Sequence, residues 1–363
     1  MLDALAGGFE QKVTRYFDGL THEKIVRIGM ADNAGFGSLR RFNSAFQQTY
    51  GRAPRDLRRQ RYQGLREQNE VVLRLAFRPP YDWNQVQDFL AARAVRGVER
   101  VDDRGYARTV ALGAGHGIIC VRPVEGEEAL ELRVRNAAPA ALLQITSSVR
   151  RTFDLSADPG QIALAFRSDP LLAPLIKRRP GLRIPGAWEP FECAVRAVLG
   201  QEVSVVVGRT LATRLVVRIG RKIVDAEDGL THLFPTPADL AVANLDGLGL
   251  TKPRGRAVQT LARAVADGNL PFDGPPEEVA RALAALPGIG VWKAQYIALR
   301  ALFEPDAFPA SDLVLRRTAA RGSAALSVRS LEACAETWRP WRGYAAVHLW
   351  RDAADAEYER NVA

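Results

Sequence analysis

The feature that most constrains this chain is a long region, from about residue 137 to 363, in which apolar residues recur at helical spacing between prolines and glycines. Thr236 before Pro237 is typical of a helix N-cap followed by proline at the first helical position. The clearest predicted helices are Phe191–Ile219, Pro237–Leu245, Arg254–Asp267, Pro276–Ala285, Val291–Phe303, Leu313–Arg321 and Leu331–Trp338. The segments 178–186 and 268–275 are predicted loops. This region is therefore predicted to be almost wholly α-helical.

Residues 67–136 have a different pattern, which predicts a small α+β domain with an antiparallel sheet. The predicted strands are Val71–Phe77, Tyr106–Leu112, Gly117–Arg122 and Ala129–Arg135. Between the first two, Trp83–Arg96 has the spacing of a helix with one buried stripe. The preceding Tyr81-Asp82-Trp83 is interpreted as the turn that leads into this helix. No catalytic constellation is evident in this segment.

Residues 1–66 are predicted to form short helices with a basic face. Ser38 can cap a helix after the tight turn Gly35-Phe36-Gly37, and Arg40 and Arg41 begin its basic surface. Between Arg40 and Arg66 there are eight arginines against one acid, Asp56. Two helices joined by a glycine turn are typical of a helix-turn-helix, in which Ser38, Arg40 and Arg41 would contact DNA. A small helical cap with a solvated charged face is an equally good interpretation of the spacing.

The whole chain is basic, with a formal net charge of +9 and a pI of about 9.8. This balance favours polyanions, either nucleic acid or an anionic membrane surface, although a general arginine bias would have the same appearance. The three cysteines are far apart in sequence, which argues against a disulfide framework, a zinc ribbon or an iron–sulfur cluster. No signal-peptide pattern and no apolar run of about 20 residues is evident. We therefore expect a cytoplasmic, nucleoid-associated protein with no membrane contact.

The five residues Leu286-Pro287-Gly288-Ile289-Gly290 separate two predicted helices. Glycines allow the backbone N–H groups to approach an anion closely, and the following helix adds its positive N-terminal end. Such a hairpin can clamp a DNA phosphate without reading sequence. Taken alone, most turns of this kind are simple connections.

Asp312 lies 22 residues after Gly290, at the predicted start of a helix. An isolated aspartate at this position is usually an N-cap. An aspartate held ionised by the helix dipole can also face a developing positive charge. Both interpretations remain open from the residues alone.

The chain resembles the 3-methyladenine DNA glycosylase II family of the helix-hairpin-helix superfamily, over about residues 70–355. The matching motifs, in chain order, are Pro80–Trp83, Phe89–Val95, Ala194–Gln201, the hairpin 286–290 with Trp292 and Tyr296, Asp312, and Glu336–Trp350. The resemblance implies a mainly α, two-part helical glycosylase body at 137–363, preceded by the antiparallel domain at 67–136. It also implies an enzyme that releases alkylated purines from double-stranded DNA by base flipping and leaves an abasic site.

The same resemblance assigns roles to the site residues. Asp312 would stabilise the oxocarbenium-like sugar and deprotonate the attacking water. Trp292 and Tyr296 are four residues apart and share a helix face, so with Trp350 they would form an electron-rich base pocket. Without the resemblance, three core aromatic residues would be the preferred interpretation.

Three further features depend on the resemblance. Lyase-type relatives carry a lysine just after the hairpin, where this chain has Trp292, and the adjacent Lys293 is turned by about 100°; we therefore expect no lyase activity. The minor-groove wedge would lie at Gln201 and Glu202, where relatives often have an apolar residue. No metal cluster or organic cofactor is expected, although one monovalent cation, Na or K, is implied on the hairpin carbonyls.

Residues 1–66 resemble half of an AraC-type DNA-binding domain, as found in adaptive-response fusion proteins, through Met30-Ala31, Gly35-Phe36, Ser38, Arg40-Arg41-Phe42, Phe46, Tyr50-Gly51 and Pro54. Only one of two expected helix-turn-helix units is present, and the start is interpreted as a possible truncation. The main prediction is a monomeric, monofunctional alkylpurine glycosylase. The alternatives are a non-enzymatic DNA-binding regulator or damage-recognition protein, and, less favoured, a lyase-type glycosylase for oxidised bases.

Overall fold

The computed structural model describes residues 70–362, which form two compact units. The first unit contains residues 70–77 and 107–150, and the second contains 78–106 and 151–362. The predicted helix-turn-helix with Ser38, Arg40 and Arg41 lies outside the described residues and stays a prediction.

The first unit contains antiparallel strands, and buried residues alternate along the first and the last of them. The order of neighbouring strands is β1-β5-β4-β3. These are β1 (Glu70–Ala76), β3 (Gly105–Leu112, in this unit from residue 107), β4 (Gly115–Pro123) and β5 (Ala129–Arg135). Leu73 lies opposite Leu132, and Leu75 lies opposite Leu130, all fully buried. This period of two gives the sheet one apolar face. Most of helix α2 (Leu142–Thr152) belongs to the same unit.

All four strands that the sequence predicted are present, with ends shifted by no more than two residues. The predicted helix at Trp83–Arg96 is α1 (Trp83–Arg93), which Asp82 caps by accepting a hydrogen bond from Gln85 N at 3.0 Å. In the structure, residues 78–106 belong to the second unit, whereas the sequence pattern groups them with the strands.

The second unit is mainly helical. Besides α1 and the short strand β2 (Glu99–Asp102), its helices are α3 (Pro159–Phe166), α4 (Leu172–Arg178), α5 (Pro190–Leu199), α6 (Val205–Ile219), α7 (Pro237–Val242), α8 (Lys252–Ala266), α9 (Pro276–Ala285), α10 (Val291–Ala301), α11 (Leu313–Ala319), α12 (Val328–Ala335) and α13 (Arg342–Val362). A small hairpin is formed by β6 (Lys222–Glu227) and β7 (Leu230–His232). The apolar faces of these helices share one continuous buried core that extends from Val95 to Leu349. The predicted cap at Thr236 is confirmed as a capping box with Asp239.

The prediction of one helix over Phe191–Ile219 was wrong, because a turn at residues 200–204 divides it into α5 and α6. Glu202 in this turn has a φ of 53°, which no α-helix accommodates. Ser204 then caps α6 by accepting a hydrogen bond from Val207 N at 3.3 Å. Of the helices within residues 70–362, none has the length and apolarity needed to span a bilayer.

Candidate active site

The hairpin at residues 286–290 joins α9 to α10 and is anchored by one apolar side chain. Ile289 is 2% exposed, and its N–H donates to Leu286 O at 3.0 Å. Pro287, Gly288 and Gly290 are exposed. Gly288 has a φ of +85°, and a Cβ built there would lie 2.5 Å from the Ala257 Cβ. Glycine is therefore required at 288 both by the backbone conformation and by the close approach of α8.

Gly290 has a different role, since its φ of −85° is open to any residue and nothing lies within 4 Å of a Cβ built there. It is the N-cap of α10, with no side-chain hydrogen bond to the cap. The first N–H groups of α10 therefore receive no acceptor from their own cap residue, and an external anion can satisfy them. This arrangement suits a phosphate oxygen.

Asp312 is the N-cap of α11, one of the two roles that the sequence left open, and its role towards a positive charge stays a prediction. One carboxylate oxygen accepts from Leu315 N at 3.0 Å and caps α11, and the other accepts from Trp292 Nε1 at 2.9 Å. The side chain is therefore fixed by two donors from different elements, and the residue remains partly exposed. A carboxylate held in this way can face a positive charge with little reorganisation.

The three predicted pocket aromatics lie together. The rings of Trp292 and Tyr296 stack with centroids 5.2 Å apart and an interplanar angle of 9°. Trp350, on α13, meets Tyr296 edge to face at 6.4 Å and 66°. All three are partly buried, which leaves ring surface accessible. Because Trp292 covers one face of Tyr296, a bound base has access to the remaining ring surfaces only.

These residues line a cleft of about 700 Å³ that lies within the second unit. We call it the aromatic cleft; its lining includes Phe89, Trp292, Tyr296, Asp312 and Trp350. A volume of this size accommodates a nucleobase with its sugar. The sequence therefore placed the carboxylate and the aromatic rings of one cleft correctly, although the function of each residue stays a prediction.

Sequence reasoning assigned none of the five arginines that line the aromatic cleft, and two of them lie against Phe89. The Arg93 guanidinium carbon lies 3.7 Å from the Phe89 ring centroid, and that of Arg300 lies 4.4 Å from the same centroid. Arg300 is also held by three hydrogen bonds, to Tyr296 Oη at 2.7 Å, Pro185 O at 2.7 Å and Gly186 O at 3.0 Å. Arg93 is on the predicted helix α1, but its spacing gave no indication that it reaches the cleft.

A buried ionic network supports the same side of the cleft. Arg196 Nη1 donates to Glu99 Oε2 at 2.9 Å and to Glu192 Oε1 at 2.8 Å, and Tyr106 Oη donates to Glu99 Oε1 at 2.8 Å. Burial would lower the pKa of Arg196, but the two carboxylates outweigh it and raise the pKa above its usual range. Arg196 therefore remains charged, and its Nη2 donates to Arg93 O at 2.6 Å, which joins α5 to the end of α1.

Gln201 and Glu202 are exposed at the turn between α5 and α6, as expected of residues that meet a ligand outside the protein. Gln201 is fixed from two sides: Lys293 Nζ donates to its Oε1 at 2.6 Å, and Arg254 Nη2 donates to its backbone oxygen at 2.6 Å. Burial lowers the pKa of Lys293, while Glu202 opposes that shift. The Lys293 ammonium is thus directed at the turn and does not line the cleft.

The known proteins that are similar to this chain agree with one another in the family they indicate. Residues 72–189 match the family described as the AlkA N-terminal domain. A Mycobacterium tuberculosis protein, named "Probable bifunctional transcriptional activator/DNA repair enzyme AlkA", is 40% identical over 323 residues, which are 87% of this chain. The chain covers 65% of the length of that relative.

The alignment with two further relatives extends over nearly the whole length of each of them. DNA-3-methyladenine glycosylase 2 of Escherichia coli is 35% identical over 281 residues, which are 76% of this chain and 95% of that protein. The solved structure of a 3-methyladenine DNA-glycosylase from Archaeoglobus fulgidus aligns with a TM-score of 0.68 at 21% identity, over 77% of this chain and 98% of that chain. This likeness confirms the predicted helix-hairpin-helix fold class.

Proposed function

Because this chain belongs to the family of DNA-3-methyladenine glycosylase 2 (AlkA), we propose that it hydrolyses the N-glycosidic bond of alkylated purines in duplex DNA. The observation that carries the proposal is the Asp312 carboxylate at the edge of the aromatic cleft, fixed there by Trp292 Nε1 at 2.9 Å. A protein that only bound DNA would gain nothing from a carboxylate facing the sugar. The product would be an abasic site and a free base.

In the proposed mechanism the damaged nucleotide is flipped out of the duplex into the aromatic cleft. Alkylation at N3 or N7 makes the purine cationic and a good leaving group, so that little acid catalysis is needed. As the glycosidic bond breaks, positive charge develops on the sugar, and Asp312 stabilises it and accepts a proton from the attacking water. The rings of Trp292, Tyr296 and Trp350 bind the flipped base by stacking and cation–π attraction.

The DNA backbone would be held by groups at the mouth of the cleft. The open first turn of α10 at Gly290 binds one phosphate, without reading sequence. A monovalent cation on the hairpin carbonyls would assist, and carbonyl oxygens are suitable ligands for Na or K. Leu286 O and Gly290 O, which accept hydrogen bonds from Ile289 and Ala294, each keep a second lone pair for it. Gln201 and Glu202 would enter the minor groove of the bound DNA. The protein would bind as a monomer.

The proposed enzyme is monofunctional, and this can be tested with Lys293. Its lowered pKa favours a nucleophilic amine, but its Nζ is bound to Gln201, outside the cleft lining. We expect no covalent protein–DNA complex when borohydride is added during reaction with abasic or damaged DNA. A trapped complex that disappears in Lys293→Met would show instead that the enzyme is a lyase.

The main experiment is single-turnover base release from a duplex with one 7-methylguanine, comparing wild type with Asp312→Asn. We expect release by the wild type, leaving an intact but heat-labile abasic strand, and loss of at least about a hundredfold in the variant. If the variant matched the wild type, Asp312 would not be the catalytic residue. If the wild type released neither 7-methylguanine, 3-methyladenine nor hypoxanthine, the alternative of a non-enzymatic DNA-binding protein would replace this proposal.

A further inference from the structure

Five arginines line the aromatic cleft together with five carboxylates, and two of these arginines lie against one of its aromatic rings. Arg93 and Arg300 both lie against Phe89, at 3.7 and 4.4 Å from its ring centroid, and both line the cleft. Arg300 also lies 5.4 Å from the Tyr296 ring centroid. The rings of Phe89 and Tyr296 therefore already interact with guanidinium groups. Cation–π attraction alone does not explain how this cleft would select a base.

A continuous chain of contacts connects the arginines to the carboxylate. Asp312 binds Trp292, Trp292 stacks on Tyr296, and the Tyr296 hydroxyl accepts from Arg300 at 2.7 Å. Arg300 then shares the Phe89 ring with Arg93. A purine whose glycosidic bond lies beside Asp312 would direct its six-membered ring along this series of contacts, towards Arg300 and Arg93.

The two arginines differ in how firmly they are held. Arg300 makes three short hydrogen bonds, and replacing it would disturb Tyr296 and the segment at Pro185. Arg93 Nη1 donates to Phe89 O at 3.3 Å, a long bond that a better acceptor can replace, and the Arg93 side chain also hydrogen-bonds with Tyr296. Burial lowers the pKa of Arg93; Tyr296 opposes this shift, and the Arg300 and Arg196 charges add to it. An acceptor on a bound base would therefore relieve a charge that the folded protein solvates poorly.

We infer that Arg93 donates to O6 of the flipped base, so that this cleft prefers purines with a 6-oxo group over purines with a 6-amino group. Guanidinium groups are donors only, and guanine-type bases present acceptors at O6 and N7. 7-Methylguanine keeps O6, and hypoxanthine keeps both O6 and N7. 3-Methyladenine keeps N7 as an acceptor but presents an amino group at position 6, which repels a donor directed there. The inference rests on the proposed glycosylase function and names its substrate class.

The test uses duplex DNA treated with a methylating agent, which carries 7-methylguanine and 3-methyladenine together. Wild type, Arg93→Met and a control, Arg96→Met, are compared for the two bases released, after subtraction of release without enzyme. Arg96 is exposed, lies three residues further along and does not line the cleft. General effects of charge on DNA binding cancel in the ratio of the two bases.

We expect R93M to lower the ratio of 7-methylguanine to 3-methyladenine by roughly tenfold or more, the effect of losing a charged hydrogen bond. R96M should leave the ratio unchanged. Hypoxanthine release from a duplex with a single hypoxanthine should fall at least as far in R93M, because two acceptors lose their donor. Arg93→Lys keeps the positive charge but not the paired N–H donors of the guanidinium group. Its ratio of 7-methylguanine to 3-methyladenine should lie between those of the wild type and R93M.

An unchanged ratio in R93M, or an equal fall for both bases, would overturn the inference and leave the glycosylase proposal standing. Absence of any released base with the wild type would overturn both. If R93M melts at a lower temperature than the wild type, the R93K ratio decides: a value equal to the wild type would overturn the inference.

Discussion

At the scale of single residues, Asp312 illustrates how one side chain combines structure with chemistry. It serves two donors, Leu315 N and Trp292 Nε1, with one carboxylate oxygen each. The bond from Leu315 N fixes Oδ1 of the carboxylate, and the bond from the Trp292 indole fixes Oδ2. The orientation that the proposed catalytic role requires is thus a by-product of the bonds that Asp312 makes with α11 and α10.

This arrangement predicts a graded loss of stability at position 312. Asparagine has one acceptor oxygen for two donors, so Asp312→Asn retains the cap or the indole bond but not both. Asp312→Ala loses both, at about 2 kcal/mol or more in the free energy of unfolding. Urea denaturation should rank wild type above D312N and D312N above D312A. Equal midpoints for all three would show that neither bond contributes to stability.

At the scale of elements, the hairpin between α9 and α10 uses its two glycines for separate purposes. Gly288 is required by its φ of +85° and by Ala257, while Gly290 is tolerant in conformation and leaves the start of α10 accessible. The same glycine-to-alanine substitution at the two positions can therefore test protein stability and DNA binding separately.

We predict that Gly288→Ala lowers the free energy of unfolding by about 2–3 kcal/mol, through the strained backbone and the clash with Ala257. Gly290→Ala should leave the melting temperature nearly unchanged. Because its methyl group projects where a phosphate would approach, G290A should weaken binding to undamaged duplex DNA instead. Thermal melting and fluorescence anisotropy distinguish the two. A G290A protein with wild-type DNA affinity would rule out the phosphate site at this hairpin.

How far the sequence predicted these elements depends on the range of the interactions. Local signals were sufficient for the four predicted strands, for the cap at Thr236 and for the start of α11 at Asp312. The break at residues 200–204 was missed because apolar periodicity continues across it, although Gly200 and Ser204 are a local signal of a helix end and a new cap. The hairpin β6–β7 was also missed, since β6 is exposed except at Ile223 and β7 has only three residues, too few for a pattern.

The candidate site shows the same limit more sharply. Asp312, Trp292 and Tyr296 were found because they lie within one stretch of sequence motif. Arg93 was not found, because its contact with the cleft depends on packing between α1 and α10, elements about 200 residues apart. Neither periodicity nor charge separates such an arginine from those on the surface.

At the scale of the whole molecule, the long helix α13 carries a residue of the cleft and also contacts or carries two groups whose pKa is shifted by burial. It carries Trp350 in the cleft lining, and Tyr344 Oη, which donates to Asp154 Oδ2 at 2.8 Å. Burial raises the pKa of Asp154 from 3.8 to about 6. On the same helix, burial lowers the pKa of His348 from 6.5 to about 4, and Arg179 acts in the same direction.

These two shifts act on stability with opposite signs over the same pH range. His348 binds its proton more weakly in the folded state, so the folded protein loses stability as pH falls from 6.5 towards 4. Asp154 binds its proton more strongly in the folded state, so the folded protein gains stability as pH falls from about 6 towards 4. Each contribution amounts to about 3 kcal/mol at its limit. In the wild type they largely offset each other.

We therefore predict that single variants reveal opposite slopes of unfolding free energy against pH. In His348→Gln only the Asp154 contribution remains, and stability relative to wild type should increase as pH falls from 6.5 to 4. In Asp154→Asn, whose asparagine tolerates the φ of 51°, only the His348 contribution remains, and relative stability should decrease over the same range. Urea denaturation at half-unit steps of pH measures both slopes. The slope is informative even if either variant is less stable at every pH, because a constant loss does not change it. Parallel curves for all three proteins would show that neither group changes its proton affinity on folding.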